Sequence, residues 1–171
     1  LGLDMPKKII ASGGLYVFKG QITTPDVLTV HYEFEECPVI WRHRIYGAAE
    51  FTPEISNGMM FYGEKETVFV SDSSWVVVPQ GRNQERKVHE IKTDMGTNHM
   101  ADFLQAVRNK TQTSCLIEDA AKSTAIVQLG AIAYETGTPV NWNEKTKEIV
   151  DNPKAAALVK REYRKPYSHP Y

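Results

Sequence analysis

The sequence predicts an α+β domain: an open, mostly antiparallel β-sheet with helices packed on one face. Three observations carry that prediction. Residues 27–34 alternate strictly, with Leu28, Val30, Tyr32 and Phe34 on one side and Thr29, His31 and Glu33 on the other, the period of a half-buried antiparallel strand. The second half changes to helical spacing, as in Met100, Phe103, Leu104 and Val107. The strands come first and the helices after, an order that separates α+β from α/β proteins.

Lys8-Ile9-Ile10-Ala11-Ser12 reads as a short strand stopped by Gly13-Gly14, and Leu15-Tyr16-Val17-Phe18 as a second one. Lys19-Gly20-Gln21 and Thr24-Pro25-Asp26 are turn signals. The alternating strand at 27–34 ends at Glu35-Glu36-Cys37-Pro38, and residues 39–46 form its neighbour. There Val39, Trp41, His43 and Ile45 share a face, while Ile40, Arg42, Arg44 and Tyr46 share the other. If the two strands pair, Thr29, His31 and Glu33 come near Arg42 and Arg44, so one sheet face is apolar and the other charged. Residues 47–56 read as irregular. Met59-Met60-Phe61-Tyr62 and Thr67-Val68-Phe69-Val70 flank Gly63-Glu64-Lys65-Glu66, and Trp75-Val76-Val77-Val78 and residues 87–91 add strands. Asn98 caps a helix to about residue 110. A second helix runs from about Glu118 to Thr136 with Gly137 as its C-cap, and a third starts at Asn152 and Pro153 and reaches about Tyr163.

The 171 residues suffice for a single domain spanning 1–171 with its own core. Hydrophobic content of 42% and charged content of 24% are ordinary for a globular chain. A net charge of −1 gives no electrostatic case for nucleic acid or an anionic membrane, and no apolar run approaches the ~20 residues of a membrane span. The first residues, Leu1-Gly2-Leu3-Asp4, begin without Met and without a signal-peptide pattern, and the expectation is a piece of a longer protein. Cys37 and Cys115 are too few for a disulfide framework. Read as free thiols they favour the cytoplasm, with the periplasm as the alternative.

Gly63-Glu64-Lys65-Glu66 raises the question of a phosphate cradle. Such a cradle needs amides opening a helix. Strand formers follow here instead, and two carboxylates flank the lysine, so the stretch reads as a hairpin turn. No G-x-G-x-x-G fingerprint occurs. The five histidines show no metal-ligand spacing, and no G-x-S-x-G elbow supports a nucleophilic serine. Trp41-Arg42-His43-Arg44 is the cluster with functional character. One reading is an exposed strand with charge pairs. The other makes Arg42, His43 and Arg44 substrate-binding residues that meet an anion or sugar at a domain cleft.

Four stretches occur in a telling order: Asn57-Gly58-Met59-Met60-Phe61-Tyr62-Gly63-Glu64-Lys65, His99-Met100-Ala101-Asp102-Phe103-Leu104-Gln105-Ala106-Val107-Arg108, Leu129-Gly130-Ala131-Ile132-Ala133-Tyr134-Glu135-Thr136-Gly137 and Arg161-Glu162-Tyr163-Arg164-Lys165-Pro166-Tyr167. Together they resemble the C-terminal domain of the Gfo/Idh/MocA oxidoreductases, the glucose–fructose oxidoreductase and inositol dehydrogenase family, over nearly the whole chain. The resemblance implies a parent protein with an N-terminal Rossmann domain that holds NAD or NADP. It also implies a catalytic lysine in an E-K-P motif and an aspartate–histidine pair on the first helix of the second domain. None of these stands in this sequence, so no catalytic residue, cofactor residue or metal ligand is carried over. Glu66 replaces the usual second glycine of the family's hairpin turn. Ala120-Ala121-Lys122-Ser123 and Val127-Gln128-Leu129-Gly130-Ala131 stand where relatives show Gly-His-Arg-Ser and Cys-His-Leu-Gly-Asn.

The resemblance therefore implies the substrate-side domain of an NAD(P)-dependent sugar or polyol dehydrogenase, inactive alone and binding no dinucleotide itself. In the family the open sheet face mediates subunit contacts, which implies a homo-oligomer through Thr29, His31, Glu33, Arg42 and Arg44. The competing class is a non-catalytic carbohydrate-binding or scaffold module. A Rossmann fingerprint upstream in the parent reading frame separates the two.

Overall fold

Three strand-forming stretches within the first 46 positions pair in sequence order over their full length. The computed structural model describes residues 2–47, 57–160 and 163–168. These divide into one unit of Leu1–Tyr46 with Cys115–Tyr171, and a second of Gly47–Ser114. Residues 48–56, expected to be irregular, lie outside the described residues, as do 161, 162 and 169–171.

In the first unit, β1 (Lys8–Gly14), β2 (Val27–Glu33) and β3 (Pro38–Arg44) join β8 (Val140–Asn143) and β9 (Glu148–Val150). The strand order is β3-β2-β1-β8-β9, and every pairing is antiparallel. The period-two pattern of β2 decides which face is buried: Val30 and Tyr32 are buried while His31 and Glu33 are exposed. They meet α2 (Ile117–Thr136), whose Leu129, Ile132 and Ala133 complete the core with Ile9, Val140, Ile149 and Ala155. Gly130 lets this helix approach closely, since a Cβ there would stand 2.5 Å from the Tyr32 hydroxyl. Gly137 ends α2 in the left-handed conformation, φ 63°, and donates its N–H to Ala133 and Tyr134.

In the second unit, β4 (Met59–Tyr62), β5 (Glu66–Val70), β6 (Ser74–Pro79) and β7 (Lys87–Glu90) form an antiparallel meander. The Gly63 N–H donates to the Glu66 carbonyl at 3.0 Å, so the stretch that resembled a phosphate cradle is a hairpin turn. α1 (Met95–Asn109) belongs to this unit, and its Met100, Phe103, Leu104 and Val107 are exposed.

The α+β class therefore stands, with the strands shared between two sheets. Four local expectations change. Leu15-Tyr16-Val17-Phe18 is not a strand, because the Tyr16, Val17 and Phe18 amides are committed to Asp26. α1 starts earlier, with the Asp94 carboxylate rather than Asn98 as its cap: Asp94 accepts from the Thr97 amide at 3.1 Å and its hydroxyl at 2.7 Å. α3 is only Pro153–Ala156. Beyond Ala157 the bonds tighten to three-residue spacing, Leu158 to Ala155 and Val159 to Ala156. The hairpin of β8 and β9 had no counterpart in the sequence reading.

Candidate functional site

The register of β2 against β3 tests the charged face directly. Thr29 lies opposite Arg42 and Val27 opposite Arg44, whereas His31 faces Ile40 and Glu33 faces Pro38. Thr29 and Arg42 are thus neighbours, and Glu33 sits at the far end of the strand, 3.7 Å from Lys8. Arg42 and Arg44 project from the exposed side of β3, two residues apart.

His43 occupies the other face. Its Nδ1 accepts from the Trp41 indole N–H at 3.3 Å, and its Nε2 lies 3.2 Å from the Pro25 carbonyl. One neutral tautomer, protonated at Nε2, satisfies both bonds. The three consecutive residues do not converge, and the imidazole is engaged within the fold.

The end of the sheet beside Arg44 is built around Asp26, a residue that belongs to none of the candidate site motifs above. Its side chain is fully buried. It accepts from the amides of Tyr16 at 2.9 Å, Val17 at 2.6 Å and Phe18 at 3.0 Å. Its own amide donates to Gly14 and its carbonyl accepts from Ile45. Burial pushes this carboxyl up, but the Phe18, Tyr16 and Val17 amides outweigh burial and hold it below the ordinary carboxylate value. Successive amides converging on one anion form a nest occupied by the protein's own carboxylate.

The glycine pair before this loop has a steric role. A Cβ on Gly13 would collide with the Val27 carbonyl, and one on Gly14 would stand 2.8 Å from the Tyr16 ring. Phe18 then meets Tyr46 edge to face at 6.5 Å, and the Arg44 guanidinium lies 6.0 Å from the centre of the Tyr46 ring. Tyr16 and Val17 remain exposed. The sequence signal for this corner was the run Thr-Pro-Asp directly before a strand, with a loop in reach whose amides have no ladder partner.

The described residues do not fit a dinucleotide. Gly13-Gly14 leads into the Asp26 loop rather than a helix. The α1 N-terminus is capped by Asp94, and Glu118 and Asp119 occupy the first turn of α2. Each longer helix start thus already carries a carboxylate where a pyrophosphate would sit. Among the described residues no group of three His, Cys, Asp or Glu side chains is arranged to hold a metal ion.

Two antiparallel sheets, a core covered by α2 and a nest filled by the Asp26 carboxylate define an α+β domain. The chain belongs to the oxidoreductase family of the Gfo/Idh/MocA type: residues 54–169 match its C-terminal alpha/beta domain. A comparison with curated proteins gives no significant match. Among solved structures, a "putative oxidoreductase from Thermotoga maritima" is similar at a TM-score of 0.62 and 15% identity, over 82% of this chain and 41% of that one. A Klebsiella pneumoniae protein given the same description matches at 0.59 and 10% identity, over 91% and 48%. An oxidoreductase from Agrobacterium radiobacter in complex with NAD+, L-tartaric acid and magnesium matches at 0.58 and 13% identity, over 80% and 43%. At these identities the likeness is one of fold, and the chain spans under half the length of each of these structures.

Proposed function

We propose that this chain acts, as one C-terminal domain, on the substrate side of an NAD- or NADP-dependent dehydrogenase of sugars or polyols. It supplies substrate and subunit contacts, while a Rossmann domain elsewhere in the parent protein holds the nicotinamide. The match of residues 54–169 to the family's C-terminal domain carries this reading. The NAD+ bound in the Agrobacterium radiobacter oxidoreductase supports the choice of cofactor for the whole protein.

Arg42 and Arg44 are the substrate contacts, from one face of β3, with His43 bracing the strand from behind. The same face, with Thr29, His31 and Glu33, is the surface through which copies associate; its mixed charge is self-complementary under a two-fold axis. The test is kinetic, in the parent protein. Arg44→Ala is expected to raise KM with kcat little changed, the signature of a lost binding contact. Unchanged kinetics in both Arg42→Ala and Arg44→Ala would overturn the assignment. Titration calorimetry of the 171-residue chain with NAD+ and NADP+ is expected to show no binding; micromolar affinity would overturn the division of labour.

A further inference from the structure

The first unit has a groove at the opposite end of its sheet from Arg42 and Arg44, where β1 begins and β2 ends. Its volume is about 640 Å³, within the range of small-molecule sites. Trp142 forms an aromatic wall. The body of this residue packs on the core, and its indole N–H donates to Glu144 Oε2 at 2.8 Å. That bond fixes the ring's orientation and stands a carboxylate at its edge. Among the described residues no hydrogen bond engages the second oxygen, Glu144 Oε1.

The lining is acidic. Asp4, Glu35, Glu36 and Glu144 stand against Lys7 and Lys145, a surplus of two negative charges. Lys7 Nζ lies 2.8 Å from Glu35, and Lys122 Nζ, beyond the lining, lies 3.1 Å from Asp4. Asp4 chiefly, then Asp119 and Glu144, hold the Lys122 ammonium above its ordinary value. Asp119 offsets that lysine, so the surplus stands. Glu36 takes part in no ion pair among the described residues. An anion would meet this surplus as repulsion, and a neutral ligand would leave it unused. A cation is drawn by the carboxylates and by the face of the indole together. Among cations, a guanidinium fits this pairing best. It is planar and weakly hydrated, so it stacks on the ring, and its N–H fork meets the carboxylate at the ring's edge. A compact ammonium is more strongly hydrated and has no plane to stack.

We propose that this groove binds a guanidinium group, stacked on Trp142 and forked to the Glu144 carboxylate, with Glu36 adding charge, at a site separate from the Arg42 and Arg44 face. Glu36 and Glu144 are exposed and water competes for the fork, so the affinity is millimolar and falls as salt rises. The site does not rest on the dehydrogenase reading.

The experiment is nitrogen-15 NMR titration of the 171-residue chain, whose three tryptophans give three indole signals. The probes are butylguanidinium, a free alkylguanidine, and N-acetylarginine amide, a stand-in for a peptide arginine. Butylammonium and acetate are the controls, at matched ionic strength. The expected result is a saturable shift of the Trp142 indole signal with the guanidinium probes, several-fold weaker binding of butylammonium and no saturable response to acetate. The tighter guanidinium probe identifies the source of the group. Glu36→Gln should weaken binding about two- to fivefold, and Lys145→Gln should strengthen it by a similar factor. Those opposite signs at two exposed positions are the signature of a bound cation. Trp142→Phe, read from the Asn143 amide, should weaken binding several-fold. No saturable shift at Trp142 with either guanidinium probe, an equal response to butylammonium, or weaker binding in Lys145→Gln overturns the proposal.

Discussion

Replacing Gly130 by alanine should destabilise the chain, against the usual rule. In an ordinary helix interior alanine is better than glycine by about 1 kcal/mol. Here the new Cβ would stand 2.5 Å from the Tyr32 hydroxyl and 3.3 Å from both Tyr32 Cζ and Val30 Cγ1. Tyr32 is only 6% exposed and Val30 1%, so neither side chain can swing aside. Overpacking of this kind costs roughly 1–3 kcal/mol. Subtracting the helix preference leaves a net loss of about 1 kcal/mol, or a lowering of the melting temperature by about 2–4 °C for a chain of this size. The 2.5 Å contact is to the hydroxyl alone, so Tyr32→Phe removes the worst clash and leaves ordinary close packing. In that background Gly130→Ala should be neutral or stabilising by up to about 1 kcal/mol. The coupling between the two sites is then about 1–2 kcal/mol. Urea unfolding followed by circular dichroism, with an unchanged m-value, measures all four corners of the cycle. A Gly130→Ala protein more stable than the parent, or a coupling near zero, would refute the packing of α2 on β2 described here.

The other expectations are more direct. Asp26 has a depressed folded-state pKa, so it contributes stability above the ordinary carboxylate value of 3.8 that is lost as pH falls through the folded value. The acid limb of stability against pH should therefore be shallower in Asp26→Asn, and trypsin should cleave after Lys19 faster in that variant. Ile9→Ala removes a fully buried side chain and should cost about 2–5 kcal/mol in chemical denaturation. Light scattering of the chain at high concentration should report a dimer or larger species that weakens in Arg42→Glu; a monomer in low and moderate salt would remove the charged face as a subunit contact.

The core was legible because its residues obey a simple period. Val30 and Tyr32 alternate with His31 and Glu33, and α2 places Leu129, Ile132 and Ala133 at helical spacing, so burial follows from geometry alone. The hairpin of β8 and β9 was not legible. Val-Asn-Trp-Asn is short and half polar, and it is held by its neighbour Lys8 and by a turn in which Asn143 Oδ1 accepts from the Lys145 and Thr146 amides. Partners distant in sequence leave no local period to read. The loop at Tyr16 departs from its sequence pattern for a related reason: Leu15 to Phe18 look like a strand, but the Asp26 carboxylate takes the amides of three of the four, Tyr16, Val17 and Phe18. The stripe of α1 was read correctly as amphipathic, yet its apolar residues are exposed.

Alternation also separates Arg42 and Arg44 from His43 on β3. Consecutive strand residues point to opposite faces, so a run of three can bring at most its first and third members to one ligand. His43 then has a different role. Its Nε2 holds the Pro25 carbonyl, and Pro25 precedes Asp26, the residue that fixes the Tyr16 to Phe18 amides. Trp41 holds the other ring nitrogen. His43→Ala removes two hydrogen bonds, each worth about 1 kcal/mol, and leaves the Trp41 indole N–H to water. The two kinds of variant should therefore separate: Arg44→Ala changes KM with stability nearly intact, and His43→Ala lowers stability and loosens the Asp26 loop. If His43→Ala keeps its stability and its slow cleavage after Lys19 while KM rises, the imidazole contacts substrate after all, and the neutral tautomer bridging Trp41 and Pro25 is not what governs its role.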